Sequence, residues 1–313
     1  MAKSPQMWKI RRQRWREILL IAWPLILANS FWNLQLTIDR VFLGHHSTGA
    51  LAAAMAVMGI FWTVMALVQQ TASYSMTFVA QYLGAKRLHM IGPAVWQSVY
   101  ISVFGGLLVL LMIPFAEPIF NYIGHSPSVR PLEIELFKAL CFSALPTALV
   151  GAAGGFFTGL GKTKNIMWVN CVALVRNVVF GYALIFGKLG APALGVAGAG
   201  YATTLANWVA AIFGFWIIFS EENEKKYSVR SAWRFHGDLM KRYLKFGVPS
   251  GMQWALEGLA FTVFLIFVGR MPEGDAALAG SGIVVTVMML AVLPAMGVAQ
   301  AVSVLTGRAL GEG

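Results

Sequence analysis

Eight stretches of this chain run apolar for about twenty residues or more, at roughly 17–43, 50–80, 92–116, 132–157, 164–187, 195–219, 246–269 and 277–307. Each is long enough to cross a hydrocarbon layer about 30 Å thick as a helix. Inside hydrocarbon every backbone polar group must be bonded within the protein, which leaves only helices and closed barrels. Barrel strands alternate apolar and polar residues, and none of these runs alternates. The pattern therefore predicts an all-α fold, a polytopic membrane helical bundle of about eight helices. Composition agrees: 58% of the residues are hydrophobic and 12% charged, whereas a globular chain carries roughly 25% charged residues. The first run is too long for a cleaved signal, and no small-residue cleavage site follows it.

A net charge of +11 raises the question of nucleic acid, but the placement of the basic residues argues for no nucleic-acid partner. Lys3, Lys9, Arg11, Arg12, Arg14 and Arg16 precede the first run, and Lys86 and Arg87 follow the second. Lys162 and Lys164 follow the fourth, seven basic residues separate the sixth from the seventh, and Arg308 closes the eighth. The alternate loops hold only Arg130, Lys188 and Arg270. That asymmetry predicts a cytoplasmic N-terminus and a plasma (inner) membrane location. The stretch KKYSVRSAWRFHGDLMKRYLKFG reads as a helix lying on anionic membrane lipids. Cys141 and Cys171 fall inside predicted spans and read as packing residues.

A shift of 227 residues lays the eighth run over the second, so that Leu51, Ala52, Val57, Ala72, Leu83 and Gly84 meet Leu278, Ala279, Val284, Ala299, Leu310 and Gly311. Six runs separate the copies, so both enter the membrane from the same side, as in a parallel repeat about an axis along the membrane normal. The expected organisation is a six-helix N-terminal lobe over 1–222, a basic linker over 223–245, and the first two helices of a second lobe over 246–313. On this expectation the chain is a C-terminally truncated piece of a protein with about twelve spans.

The chemistry concentrates on the first run. At helical spacing Leu27, Phe31, Leu34, Ile38 and Val41 form one apolar stripe, while Ala28, Trp32, Gln35 and Asp39 lie on the other side. A carboxylate at that depth costs on the order of 3 kcal/mol. The cost must be offset by a partner, a cation or a proton. The plainer reading is an ion pair, with Arg40 or Arg176; adjacent residues point about 100° apart on a helix, which disfavours Arg40. The fifth run puts Asn170, Asn177 and Gly181 on one face with Arg176 alongside. The sixth groups Gly200, Thr203, Thr204 and Asn207, and the seventh carries Gln253 and Glu257 one turn apart. Such amides and hydroxyls serve equally as glue between helices or as ligands for a small cation. The lone acids Asp39 and Glu257 fit the glue reading poorly.

Several motifs carry no weight. GLGKT (159–163) lacks the first glycine of a phosphate loop, since residue 156 is Phe, and it follows a membrane run rather than a strand. His45 and His46 read as solvated loop residues. No H-E-x-x-H, G-x-S-x-G or C-x-x-C pattern is present, so no enzymatic set is expected.

On AWPLILANSFWNLQLTIDRVFLG, TFVAQYLGAKR, NVVFGYALIFGKLGAPALGVAGAGYATT and GVPSGMQWALEG, the chain resembles the multidrug and toxic compound extrusion (MATE) family over nearly its whole length. The resemblance implies a twelve-helix antiporter, monomeric when complete, that exports cationic or amphipathic small molecules in exchange for H⁺ or Na⁺ and needs no other cofactor. It implies a cation or proton site at Asp39, Asn177 and Thr203. Gly181 stands where a second polar residue is usual, which favours a proton over Na⁺. Glu257, with Gln253, matches a second acidic site for substrate or ion, and Arg176 is a candidate ion-pair partner for Asp39. The alternative is a lipid-linked saccharide flippase, whose cavity would need several basic residues; Arg176 and Lys138 are the candidates.

Overall fold

The computed structural model describes residues 5–269 and 274–313; Lys3 and Arg270 lie outside them. The fold is a bundle of twelve α-helices among the described residues: α1 (Pro5–His46), α2 (Thr48–Ser73), α3 (Ser75–Gly84), α4 (Ile91–Leu110), α5 (Ala116–Ile123), α6 (Arg130–Cys141), α7 (Ala144–Gly159), α8 (Thr163–Phe186), α9 (Gly195–Ile218), α10 (Glu221–Tyr227), α11 (Gly237–Gly269) and α12 (Gly274–Glu312). Six helices or straight helix pairs are long and apolar enough to cross a membrane, and α6 with α7, bent by 45°, makes a seventh. The remaining expected crossing, 246–269, is continuous helix within α11.

The α6–α7 bend has a local cause. Ser143 donates its hydroxyl to the Leu140 carbonyl at 2.7 Å, drawing the backbone out of the regular ladder. Pro146 then sits in the first turn of α7, where its missing N–H is least costly. The bend turns Ser143 and Thr147 toward α1 and α9.

The helices pack in two buried clusters. One joins Ile21 and Leu25 of α1 with Phe78, Phe156, Phe157, Val169, Tyr243 and Ala301, toward the end that carries the basic loops. The other joins Leu43, Phe61, Met65, Phe120, Phe137 and Ile185 toward the opposite end. Removing these side chains from water or lipid-headgroup contact supplies the packing that orders the interhelical polar groups. α1 packs on α8 and on α12, while α11 packs on α2. Since the 227-residue shift relates α1 to α11 and α2 to α12, the α1–α12 and α2–α11 contacts are exchanged with each other.

The segment after α9 differs from the expected surface helix. α10 ends at Tyr227 and is capped by Ser228, whose φ of 54° lies in the left-handed region, and α11 starts only at Gly237. The intervening chain is held against α4, where Trp96 Nε1 donates to the Val229 carbonyl at 2.7 Å and the Tyr100 hydroxyl donates to that of Trp233. A side chain at Gly92 would strike the Tyr227 and Ser228 carbonyls, so the turn and α4 touch backbone to backbone. These tertiary bonds override the helical charge pattern of the linker.

Candidate functional site

The polar side of α1 faces inward, as its spacing requires. Gln35 and Asp39 are buried, at 5% and 4% exposure, while Leu34 and Val41 on the apolar stripe are exposed, as suits contact with lipid. α8 brings Asn177, wholly buried, against the Asp39 carboxyl. α9 brings Thr203, whose hydroxyl accepts from Asn177 Nδ2 at 3.2 Å and donates to the Ala199 carbonyl at 3.0 Å. One hydrogen of the Asn177 amide is thus on Thr203, and the same side chain bonds the Asp39 carboxyl. Asp39 Oδ1 and Asn177 Oδ1 are both sealed from solvent with no hydrogen-bond partner. Buried acceptors without a donor are costly, and a proton or a small cation would satisfy them.

Beside Asp39 is a cavity of about 20 Å³, room for one water-sized occupant. Its walls are Trp32, Gln35, Leu36 and Asp39 from α1, Met58, Phe61 and Trp62 from α2, Leu140, Ser143 and Thr147 from the bent α6–α7 pair, and Thr203 and Asn207 from α9. Trp32 and Trp62 meet edge to face at 5.0 Å between ring centres, closing one wall. Asn207 donates to Thr147 Oγ1 at 2.8 Å, so that pair satisfies itself and leaves Asp39 as the one acidic group lining the space.

Asp39, Asn177 and Thr203 thus come together. Arg176 and Arg40 do not join them: both are exposed, and neither appears in an ion pair among the described residues. Asn170 is glue, donating to the Ala28 carbonyl at 3.1 Å and tying α8 to α1. Gly181 packs against the Phe42 ring, where an added Cβ would come within 3.3 Å. Gln253 Nε2 donates to Glu257 Oε1 at 3.1 Å, and both line an open groove on α11 with Pro249, Met252, Leu256 and Ala260. That groove shares no residue with the Asp39 cavity. Lys138 is paired with Glu117 at 2.8 Å, so neither basic residue expected of a flippase cavity lines the Asp39 space.

Leu36, Met58, Phe61, Trp62, Leu140, Ser143 and Thr147 are the cavity residues that sequence reasoning missed. Ser143 and Thr147 stand one helical turn apart in an apolar run, a spacing that marks a polar face; Trp62 carries no such signal.

The MatE family model matches residues 24–183 and 249–313. A protein of Thermotoga maritima described as "probable multidrug resistance protein NorM" is 26% identical over 303 residues, covering 95% of this chain and 64% of the relative. One of Xanthomonas axonopodis pv. citri with the same description is 28% identical over 299 residues, covering 94% and 64%. The chain thus spans less than two thirds of the length of these curated relatives. Among solved structures, an outward-facing multidrug resistance MATE family transporter of the MOP superfamily superposes with a TM-score of 0.85 at 22% identity, covering 95% of this chain and 65% of that one. A MOP superfamily transporter from Pyrococcus furiosus gives the same score, identity and coverage.

Proposed function

The chain belongs to the MatE family, and on that premise we propose that it forms the ion-coupling part of a secondary antiporter, a transporter and not an enzyme, which exports cationic or amphipathic small molecules in exchange for H⁺ or Na⁺. Asp39 takes the ion, and Asn177 and Thr203 are its neutral partners. The observation that carries this reading is the pair of orphaned oxygens, Asp39 Oδ1 and Asn177 Oδ1, with a cavity lined by Asp39 that has room for one small guest. A proton on Asp39 would be donated to Asn177; a bare cation would be held between the two oxygens. Gly181 supplies no further oxygen, which favours the proton.

The relatives' description as multidrug resistance proteins supports the export of drugs. A drug-sized molecule does not fit beside Asp39 in this conformation, so its binding requires the cavity to widen. Ion occupancy drives that change only through unequal affinity for the two shapes. Filling the site alters the packing of α1, α8 and α9, which carry its three polar residues. Gln253 and Glu257 in their open groove are a second site for organic cation or ion. The basic end faces the cytoplasm by the positive-inside rule, with 1–222 as one lobe and 246–313 as the start of its repeat.

The test is Asp39→Asn in a pump-deficient strain, measuring dye efflux as the H⁺ and Na⁺ gradients are collapsed in turn. The expected result is loss of gradient-driven efflux. Efflux that keeps its gradient dependence in the variant overturns the assignment.

A further inference from the structure

Between α2 and α3 the second crossing stays straight but its hydrogen-bond ladder is interrupted at one residue, Tyr74, in a stretch that reads QQTASYSM and contains neither proline nor glycine. A ladder interrupted without those residues needs a side chain or water inserted into it. Two hydroxyls converge on the Ala72 carbonyl, that of Ser98 on α4 and that of Tyr243 on α11, each at 2.6 Å. Tyr243 is fully buried, and its ring stacks on Phe78, one turn beyond the break, at 5.3 Å between centres.

Two further contacts hold the same helices together. Thr71 Oγ1 donates to the Leu67 carbonyl of its own helix at 2.6 Å and lies 3.3 Å from the Gly247 carbonyl, and an added Cβ at Gly251 would come within 2.6 Å of the Leu67 carbonyl. From Tyr243 to Gly251, then, α11 packs tightly on α2, and Tyr243 makes the bond between them. The 227-residue shift carries Tyr243 onto Arg16 and Ala72 onto Ala299. α12 runs unbroken through Ala299, so this arrangement exists on one side of the repeat only.

We infer that Tyr243 is a positioning residue for the transport cycle: its hydroxyl on Ala72 holds α11 to the interrupted second crossing while the basic end is closed, and its release accompanies opening of that end. The inference rests on the alternating-access reading above. The chemistry makes the bond reversible. A carbonyl has two lone pairs, so when Tyr243 leaves, Ser98 still satisfies Ala72, and the freed phenol meets the water that enters.

The experiment uses the full chain in lipid nanodiscs, with Cys141 and Cys171 replaced by Ser and a reporter cysteine at the buried Val79 on α3, beyond the break. The rate of maleimide labelling is read without gradient or substrate. Tyr243→Phe is expected to speed labelling about fivefold, the equivalent of one buried hydrogen bond. Ser98→Ala removes the other hydroxyl from the same carbonyl but does not link α11 to α2, and it is expected to leave the rate unchanged. Equal acceleration in both variants, or none with Tyr243→Phe, overturns the lock. Should Tyr243→Phe not fold, Gly251→Ala sets a methyl against the Leu67 carbonyl, forces α11 away from α2 and is expected to act in the same direction; an unchanged rate there overturns the lock as well. Since no transport is measured, either failure leaves the Asp39 assignment to its own test.

Discussion

Gly84 and Gly311 each sit against the other's helix at the crossing of α3 and α12. A side chain at Gly84 would strike the Arg308 carbonyl, and one at Gly311 would strike that of Gln81. Gln81 precedes Gly84 by three residues, as Arg308 precedes Gly311, and the 227-residue shift exchanges the two pairs. The crossing has the geometry of a two-fold axis passing between two glycines, which alone permit backbones to approach so closely.

Gly84→Ala and Gly311→Ala are each expected to destabilise the protein. Alanine gains about 1 kcal/mol of helix propensity over glycine, but here its methyl meets backbone that cannot rotate away, at a cost of about 1–3 kcal/mol or more. Melting in detergent should show both variants below the parent, and a rise in midpoint for either would mean that the helices do not touch there.

Thr203→Val keeps the shape of the side chain and removes the hydroxyl that accepts from Asn177. The buried amide N–H then has no partner, which costs about 1–3 kcal/mol. Chemical denaturation should show that loss, and gradient-driven efflux should fall, because Asn177 is freed to turn away from Asp39.

Arg176→Ala is expected to change stability by no more than about 0.5 kcal/mol and to leave the ion dependence of efflux as it was. The guanidinium is exposed and apart from Asp39. A variant that lost ion coupling would show that the two residues pair during the cycle.

Glu224 accepts from the Arg230 amide and the Ser231 hydroxyl. These bonds, the Arg230 amide first, hold its carboxyl below the ordinary value of 4.5. A depressed acid contributes stability above its unfolded pKa and loses it as pH falls through the folded one. Amide exchange at Arg230 and Ser231 should therefore accelerate, relative to the rest of the chain, as pH drops below about 4.5. Glu224→Gln should remove most of that dependence.

Much of the candidate site is legible from the sequence because helical spacing alone puts Gln35 and Asp39 on the side opposite the apolar stripe, and the resemblance adds Asn177 and Thr203. The rest depends on distant partners. Asn170 and Asn177 share a face and a residue type, yet one is spent on the Ala28 carbonyl and the other is left with an orphaned oxygen. Ser143 and Thr147 reach the cavity only because α6 and α7 bend between them. The linker's basic amphipathic pattern favours one helix, and bonds from Trp96 and Tyr100 hold it as a turn instead.

By itself the sequence determined that the chain is a bundle of apolar helices, most of them long enough to cross a membrane, and which face of α1 bears the acid. Both follow from transfer energies and helical periodicity, which act within a single segment. Tertiary structure decided that Asp39 stands without a guanidinium, that the ladder of the second crossing is interrupted at Tyr74, and that Gly84 and Gly311 mark a crossing. Those outcomes depend on groups far apart in the chain, such as Tyr243 and Ala72, 171 residues from one another. Only packing chooses which buried polar group meets which.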